Sequence, residues 1–97
     1  MIKYKFRFTP EAAKLLRKLH PDNKKMIKNG LKILQKNPDT GRDLQEELSG
    51  FKTYRIKRYR IIYKIDEEQR MISIYHVGHR SDVYEQFQIL LKSVSGL

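Results

Sequence analysis

Ile2, Tyr4, Phe6 and Phe8 alternate with Lys3, Lys5 and Arg7 at the start of the chain, the period-two pattern of a strand with one face against a core. Thr9-Pro10-Glu11 ends it. Threonine can accept from the free amides of a helix start, proline fits the first helical position, and an acid is favourable at the positive dipole end. Ala12, Leu15, Leu16 and Leu19 then recur as the buried stripe of a helix. His20-Pro21-Asp22 interrupts it, because proline has no N–H and biases the preceding residue away from α geometry. A second helix follows, with Ile27, Leu31 and Leu34 as its stripe, Met26 and Ile33 beside it, and Asn37-Pro38 as its stop. Together these predict an αα-hairpin. Its outer face carries Lys14, Lys18, Lys24, Lys25, Lys28, Lys32 and Lys36, which reads as a solvated face before it reads as a binding surface.

Turn chemistry at Asp39-Thr40-Gly41 and Ser49-Gly50 marks residues 39–50 as a connector, with one helical turn around Leu44 to Leu48. From Phe51 to Ile65 the chain alternates again, as a tight β-hairpin turning at Lys57-Arg58. Asp66-Glu67-Glu68-Gln69 is a polar turn, and Met71 to Val77 is apolar on both faces, as an inner strand would be. Gly78 breaks that strand. Ser81-Asp82 then opens a final helix with Val83, Phe87, Leu90, Leu91 and Val94 on one face. The expected order is β-α-α-β-β-β-α, an α+β fold with an antiparallel-rich sheet.

The 97 residues suit one domain spanning 1–97 with a thin core. A formal net charge of +10 points to nucleic acid, an acidic protein or an anionic surface as partner. Cysteine is absent, so there is neither a disulfide nor a thiolate metal site. The alternating N-terminus lacks the apolar core of a signal peptide, and no run approaches the roughly 20 apolar residues of a membrane span. A cytoplasmic protein without membrane contact is expected.

The hairpin changes the picture most. Lys52, Arg55, Lys57, Arg58, Arg60 and Lys64 lie among aromatic and β-branched residues, and no acid occurs between Glu47 and Asp66. With Lys57-Arg58 as the turn, Arg55 faces Arg60 directly. Like charges so placed destabilise a sheet by a few tenths of a kcal/mol or more, and a bound phosphate would relieve them. The strand bearing Arg60 should also lie beside the end of the last strand, close to His79 and Arg80. Tyr84 falls at the edge of the last helix's apolar stripe, where its hydroxyl can reach the cationic face. Such a set fits cleavage of RNA by its own 2′-OH. That reaction needs a base for the hydroxyl proton, an acid for the leaving 5′-oxygen and cations for the phosphorane charge. Arginine grips phosphate and stays ionised. A phenol, with a pKa of about 10, needs nearby cations before it can serve as base.

Structural roles stand beside these. Tyr54, Tyr59 and Tyr63 are ordinary strand residues at a core edge. Arg80 could neutralise Asp82, His76 reads as a core histidine, and His79 divides evenly between spectator and site residue. Three histidines without ligand spacing make no metal site, and no cofactor motif is present.

Leu48-Ser49-Gly50-Phe51, Tyr54-Arg55-Ile56-Lys57, Tyr59-Arg60-Ile61-Ile62-Tyr63 and Val77-Gly78-His79-Arg80-Ser81-Asp82-Val83-Tyr84 occur in this order, and the set resembles the RelE/ParE superfamily of type II toxin–antitoxin toxins. The resemblance extends over nearly the whole chain. It implies a toxin of RelE type, a metal-independent endoribonuclease that cuts mRNA in the ribosomal A site and leaves a 2′,3′-cyclic phosphate and a 5′-hydroxyl. By the same resemblance Tyr84 acts as base, Arg80 helps protonate the leaving group, and Arg55, Lys57 and Arg60 hold the phosphate. Arg58, Lys52 and His79 would contact substrate around them. Two departures stand out: the turn lacks the glycine many relatives carry, and position 55 is arginine where some active relatives have lysine, a role His79 could take over.

The resemblance also leaves a ParE-like gyrase inhibitor, which needs no Arg80–Tyr84 pair, and a basic RNA-binding module without cleavage. The Val77-to-Tyr84 ending resembles the RelE side. In each toxin reading the partner is a cognate antitoxin with an acidic or amphipathic segment that folds on binding. It would either cover the cationic face or displace the last helix.

Overall fold

A computed structural model describes residues 4–79, 84, 85, 87–89 and 91. β1 (Lys5–Phe8) leads into α1 (Pro10–Arg17) and α2 (Pro21–Lys36). β2 (Arg42–Asp43), β3 (Lys52–Ile56), β4 (Tyr59–Asp66) and β5 (Met71–His79) follow, and residues 84, 85, 87–89 and 91 are helical. Ile2, the helix start at Ser81-Asp82, Val83, Leu90 and Val94 lie outside the described residues.

The helix starts form as their residues dictate. Thr9 Oγ1 accepts from the Ala12 N–H at 3.2 Å, with Pro10 in the first turn. At α2 the cap is His20, whose Nδ1 accepts from the Asp22 N–H at 3.2 Å. α1 ends at Arg17, so Leu19 packs from the connection. Ile33 points to solvent at 54% exposure, while Ile27 and Leu34 are fully buried. Gly30 lets α2 approach β3, since a Cβ there would fall 2.6 Å from Ile56 Cγ1.

Among the described residues the strands form one sheet in the order β1-β5-β4-β3-β2, with β1 parallel to β5 and the other neighbours antiparallel. β5 is therefore an inner strand, as its two apolar faces predict. It does not stop at Gly78: the pairing continues through Arg60↔Gly78 to Tyr59↔His79. A glycine at a strand's end can stay in the ladder when the partner strand supplies the hydrogen bonds. The two-residue β2 pairs with β3 inside the segment expected to be a plain connector. The helical turn expected there is the single 3₁₀ turn Glu46–Leu48.

α1 and α2 cover one sheet face over Ile61, Tyr63, Ile72, Ile74 and Val77. The opposite face carries Leu48, Phe51 and Ile62, closed by Phe87 with Tyr84 and Leu91 at its margin. Between Ile62↔His76 and Tyr63↔Ile74 the β4–β5 ladder bulges, leaving Tyr75 as the extra residue. Tyr75 and His76 consequently both meet Phe87, with ring centroids at 6.3 and 5.8 Å. This seats the C-terminal helical residues against the sheet. No helix among the described residues is long and apolar enough to cross a membrane.

Ile74 is fully buried at the centre of this arrangement. Ile74→Ala should lower the unfolding free energy by about 2–5 kcal/mol, whereas Ile33→Ala should stay within about 0.5 kcal/mol of the wild type. Urea denaturation midpoints of the two variants measure the contrast.

Candidate functional site

The site starts from a turn. Ile56 pairs with Tyr59 and Arg55 with Arg60, so Lys57-Arg58 is the whole connection between β3 and β4. Two-residue hairpins need a backbone that follows the strand twist, which requires a positive φ in the turn. Lys57 supplies it at φ 56° without being glycine, a strain of about 1 kcal/mol or more. Arg55 offsets part of this by donating from Nε to the Lys57 carbonyl at 3.0 Å. The register then places the two arginines directly across from each other on one face of the sheet.

Arg60 is half-buried. Its Nη1 donates to the Tyr84 hydroxyl at 3.1 Å, and its guanidinium carbon lies 5.6 Å from the Tyr84 ring centroid. The Tyr84 hydroxyl in turn donates to Thr53 Oγ1 at 3.3 Å. One phenol therefore joins β3, β4 and the C-terminal helical residues. Arg55, Arg58, Arg60 and His79 line a depression of about 320 Å³ at the hairpin tip. On the other side of Arg55 and Arg60 a cleft of similar size is walled by Arg42, Thr40, Gly41, Thr53 and Tyr54. Among the described residues, no carboxylate comes within 4.0 Å of any of these guanidiniums. Uncompensated arginines at fixed spacing are what a phosphate requires.

Not every candidate joins this cluster. Arg55, Arg58, Arg60, His79 and Tyr84 converge. Lys57 lies around the tip, in a hollow with Asn23, Met26 and Tyr59 on the α2 side. Lys52 sits 3.0 Å from Asp43 and 4.0 Å from Asp39, with only 20% of its side chain exposed. Its charge is spent on the β2 edge. Arg80 lies outside the described residues. Conversely, Thr53 and Arg42 were not singled out by sequence. Strand alternation could have found Thr53, two residues before Arg55 on the same face. Arg42 belongs to a strand too short for any period. Among the described residues, no group of three or more His, Asp or Glu side chains is placed to hold a metal ion.

The far wall of the cleft hangs on Tyr63. Its buried hydroxyl donates to the Pro38 carbonyl at 2.6 Å and accepts from the Gly41 N–H at 3.2 Å. Gly41 has no alternative, since a Cβ there would meet that hydroxyl and lie 2.6 Å from the Thr53 carbonyl oxygen. Burial pushes the Tyr63 phenol up to about 12, against the smaller opposing effect of the Gly41 amide.

Residues 6–84 match the family described as the ParE toxin of the type II toxin–antitoxin system parDE. Toxin RelG of Mycobacterium tuberculosis is 34% identical over 85 residues, spanning 86% of this chain and 98% of that protein. The toxin–antitoxin complex RelBE2 from Mycobacterium tuberculosis contains a chain of similar fold, with TM-score 0.74 and 33% identity over 81% of this chain and 100% of that one. The isolated E. coli RelE toxin shares the fold at TM-score 0.68 and 21% identity, covering 91% of this chain and 98% of that one.

Tyr63→Phe should cost about 1–3 kcal/mol by leaving the Pro38 carbonyl and the Gly41 amide without their partner. Because the folded state holds the phenolic proton more tightly than the unfolded chain, the tyrosine's contribution is complete below about pH 10 and is lost as pH rises toward about 12. The stability advantage of the wild type over Tyr63→Phe, measured by urea titration at increasing alkaline pH, should therefore shrink.

Proposed function

This chain belongs to the RelE/ParE superfamily of type II toxin–antitoxin toxins, and from that premise we propose that it is a RelE-like endoribonuclease cutting messenger RNA in the ribosomal A site. One observation carries the reading: the Tyr84 hydroxyl is held on Arg60, which lines an arginine-rich depression with no carboxylate within 4.0 Å of its guanidiniums among the described residues. A gyrase inhibitor needs no phenol there.

In this mechanism the phosphodiester lies against Arg55 and Arg60, whose N–H groups take the charge that grows on the non-bridging oxygens. Tyr84 is the base. It removes the proton of the 2′-OH as the O2′–P bond forms and the P–O5′ bond breaks, giving a 2′,3′-cyclic phosphate and a 5′-oxygen that takes up a proton. Arg80 is the proton donor that the family pattern implies. His79 lines the depression beside the arginines. Thr53 keeps the phenol aimed at Arg60. Lys57 would meet a strand only where it rounds the hairpin tip, and Lys52, paired with Asp43, would support the β2 wall.

The ParE description of the matching family favours a second reading, a non-catalytic poison of gyrase. In both readings the neutralising partner is an antitoxin with an acidic or amphipathic segment. The complexes among the similar structures and the uncompensated cations at the hairpin support this.

Arg60→Ala and Tyr84→Phe should each reduce A-site cleavage by about 10²–10³-fold and relieve growth arrest on induced expression. Primer extension on translated mRNA measures the breaks. Arrest that survives both substitutions, accompanied by linearised plasmid DNA, would favour the gyrase reading.

A further inference from the structure

Beyond Arg55 and Arg60, on the α2 side of the sheet, a second depression of about 320 Å³ is lined by Asn23, Met26, Lys57, Arg58, Tyr59 and His79. It shares Arg58 and His79 with the cationic depression. Tyr59 and Arg60 are consecutive, so strand alternation sends them to opposite faces, and the two depressions are the two sides of one sheet end. Their chemistries differ. The first presents guanidinium groups. The second presents the half-buried Tyr59 ring, in edge contact with the His79 imidazole at 5.0 Å and 75°, together with a thioether and a carboxamide.

We propose that this second depression is a nucleobase subsite for the RNA strand whose phosphate lies against Arg55 and Arg60, an inference that rests on the ribonuclease reading. Single-stranded RNA is read by splaying bases out, stacking them on aromatic rings and hydrogen-bonding their edges. Tyr59 and His79 supply the ring surface, and the unbranched Met26 fills an irregular wall. Asn23 carries both a donor and an acceptor, which is what a base edge demands. Arg58 is common to both depressions, where the sugar–phosphate chain would cross the hairpin tip.

The test maps cut sites on translated mRNA in which each base occurs at each codon position. The wild-type chain should prefer certain bases at one position flanking the cut. Asn23→Asp removes the amide donor, so bases recognised through a carbonyl oxygen should lose about fivefold or more relative to the others, and Asn23→Ala should flatten the preference. Tyr59→Leu should lower the yield of cuts by about tenfold through lost stacking, while Arg60→Ala should lower it without changing the preference. A wild-type chain with no base preference would overturn the subsite, as would an unchanged distribution in both Asn23 variants with cutting retained. Loss of all cutting in folded Asn23→Ala protein would also overturn it, because a base subsite selects among cuts without performing the chemistry. Absence of A-site cuts by the wild type would instead remove the ribonuclease reading, and the subsite with it.

Discussion

The pairing of Arg55 with Arg60 across the β3–β4 ladder is the constraint on which the cationic site rests. Two like charges in direct register oppose sheet formation, so something must impose the register against them. The hydrophobic pattern does so. Thr53 and Ile62 go to the Phe87 side while Tyr54, Ile56, Ile61 and Tyr63 go to the α2 side. A slip by one residue would exchange these faces and expose the core. The two-residue turn follows from the same register, including the left-handed backbone at Lys57 that a glycine would have met with less strain. Arg60 gains a partner in the Tyr84 phenol, but this interaction leaves its charge in place.

Other cations in the chain are arranged differently. Lys52, adjacent to Thr53, is held by Asp43 and Asp39. Lys64 lies over the Phe51 ring at 4.3 Å and uses its charge against an aromatic face. Among the described residues, the three tip arginines have no carboxylate within 4.0 Å. These arginines gather at one end of the sheet, close to the Tyr84 phenol.

Much of this was legible in the sequence because it obeys a period. The αα-hairpin, the β-hairpin register, the inner position of β5 and the nearness of Arg60 to the end of β5 all follow from alternation, caps and turn length. The features that were not legible lack a period or depend on distant partners. β2 is two residues long, so Arg42 could not be assigned to a sheet edge. Gly78 reads locally as a break, yet β4 holds it in the ladder. Lys52 belongs by sequence to the basic run, but its partners Asp39 and Asp43 reach it only once the edge strand has paired. The bulge at Tyr75 needs the strand opposite to exist before it has meaning.

The parallel pairing of β1 with β5 has a temporal consequence. Among the described strands β1 comes first in the chain and its neighbour β5 comes last, so β1 stays without this mate until β2, β3 and β4 have been made. Arg60 likewise lacks its wall until residue 84 has been joined to the chain. A nascent copy therefore carries the basic hairpin long before it carries a finished cleft. The order of the chain thus sets the order in which the hairpin and the phenol that partners Arg60 come to exist.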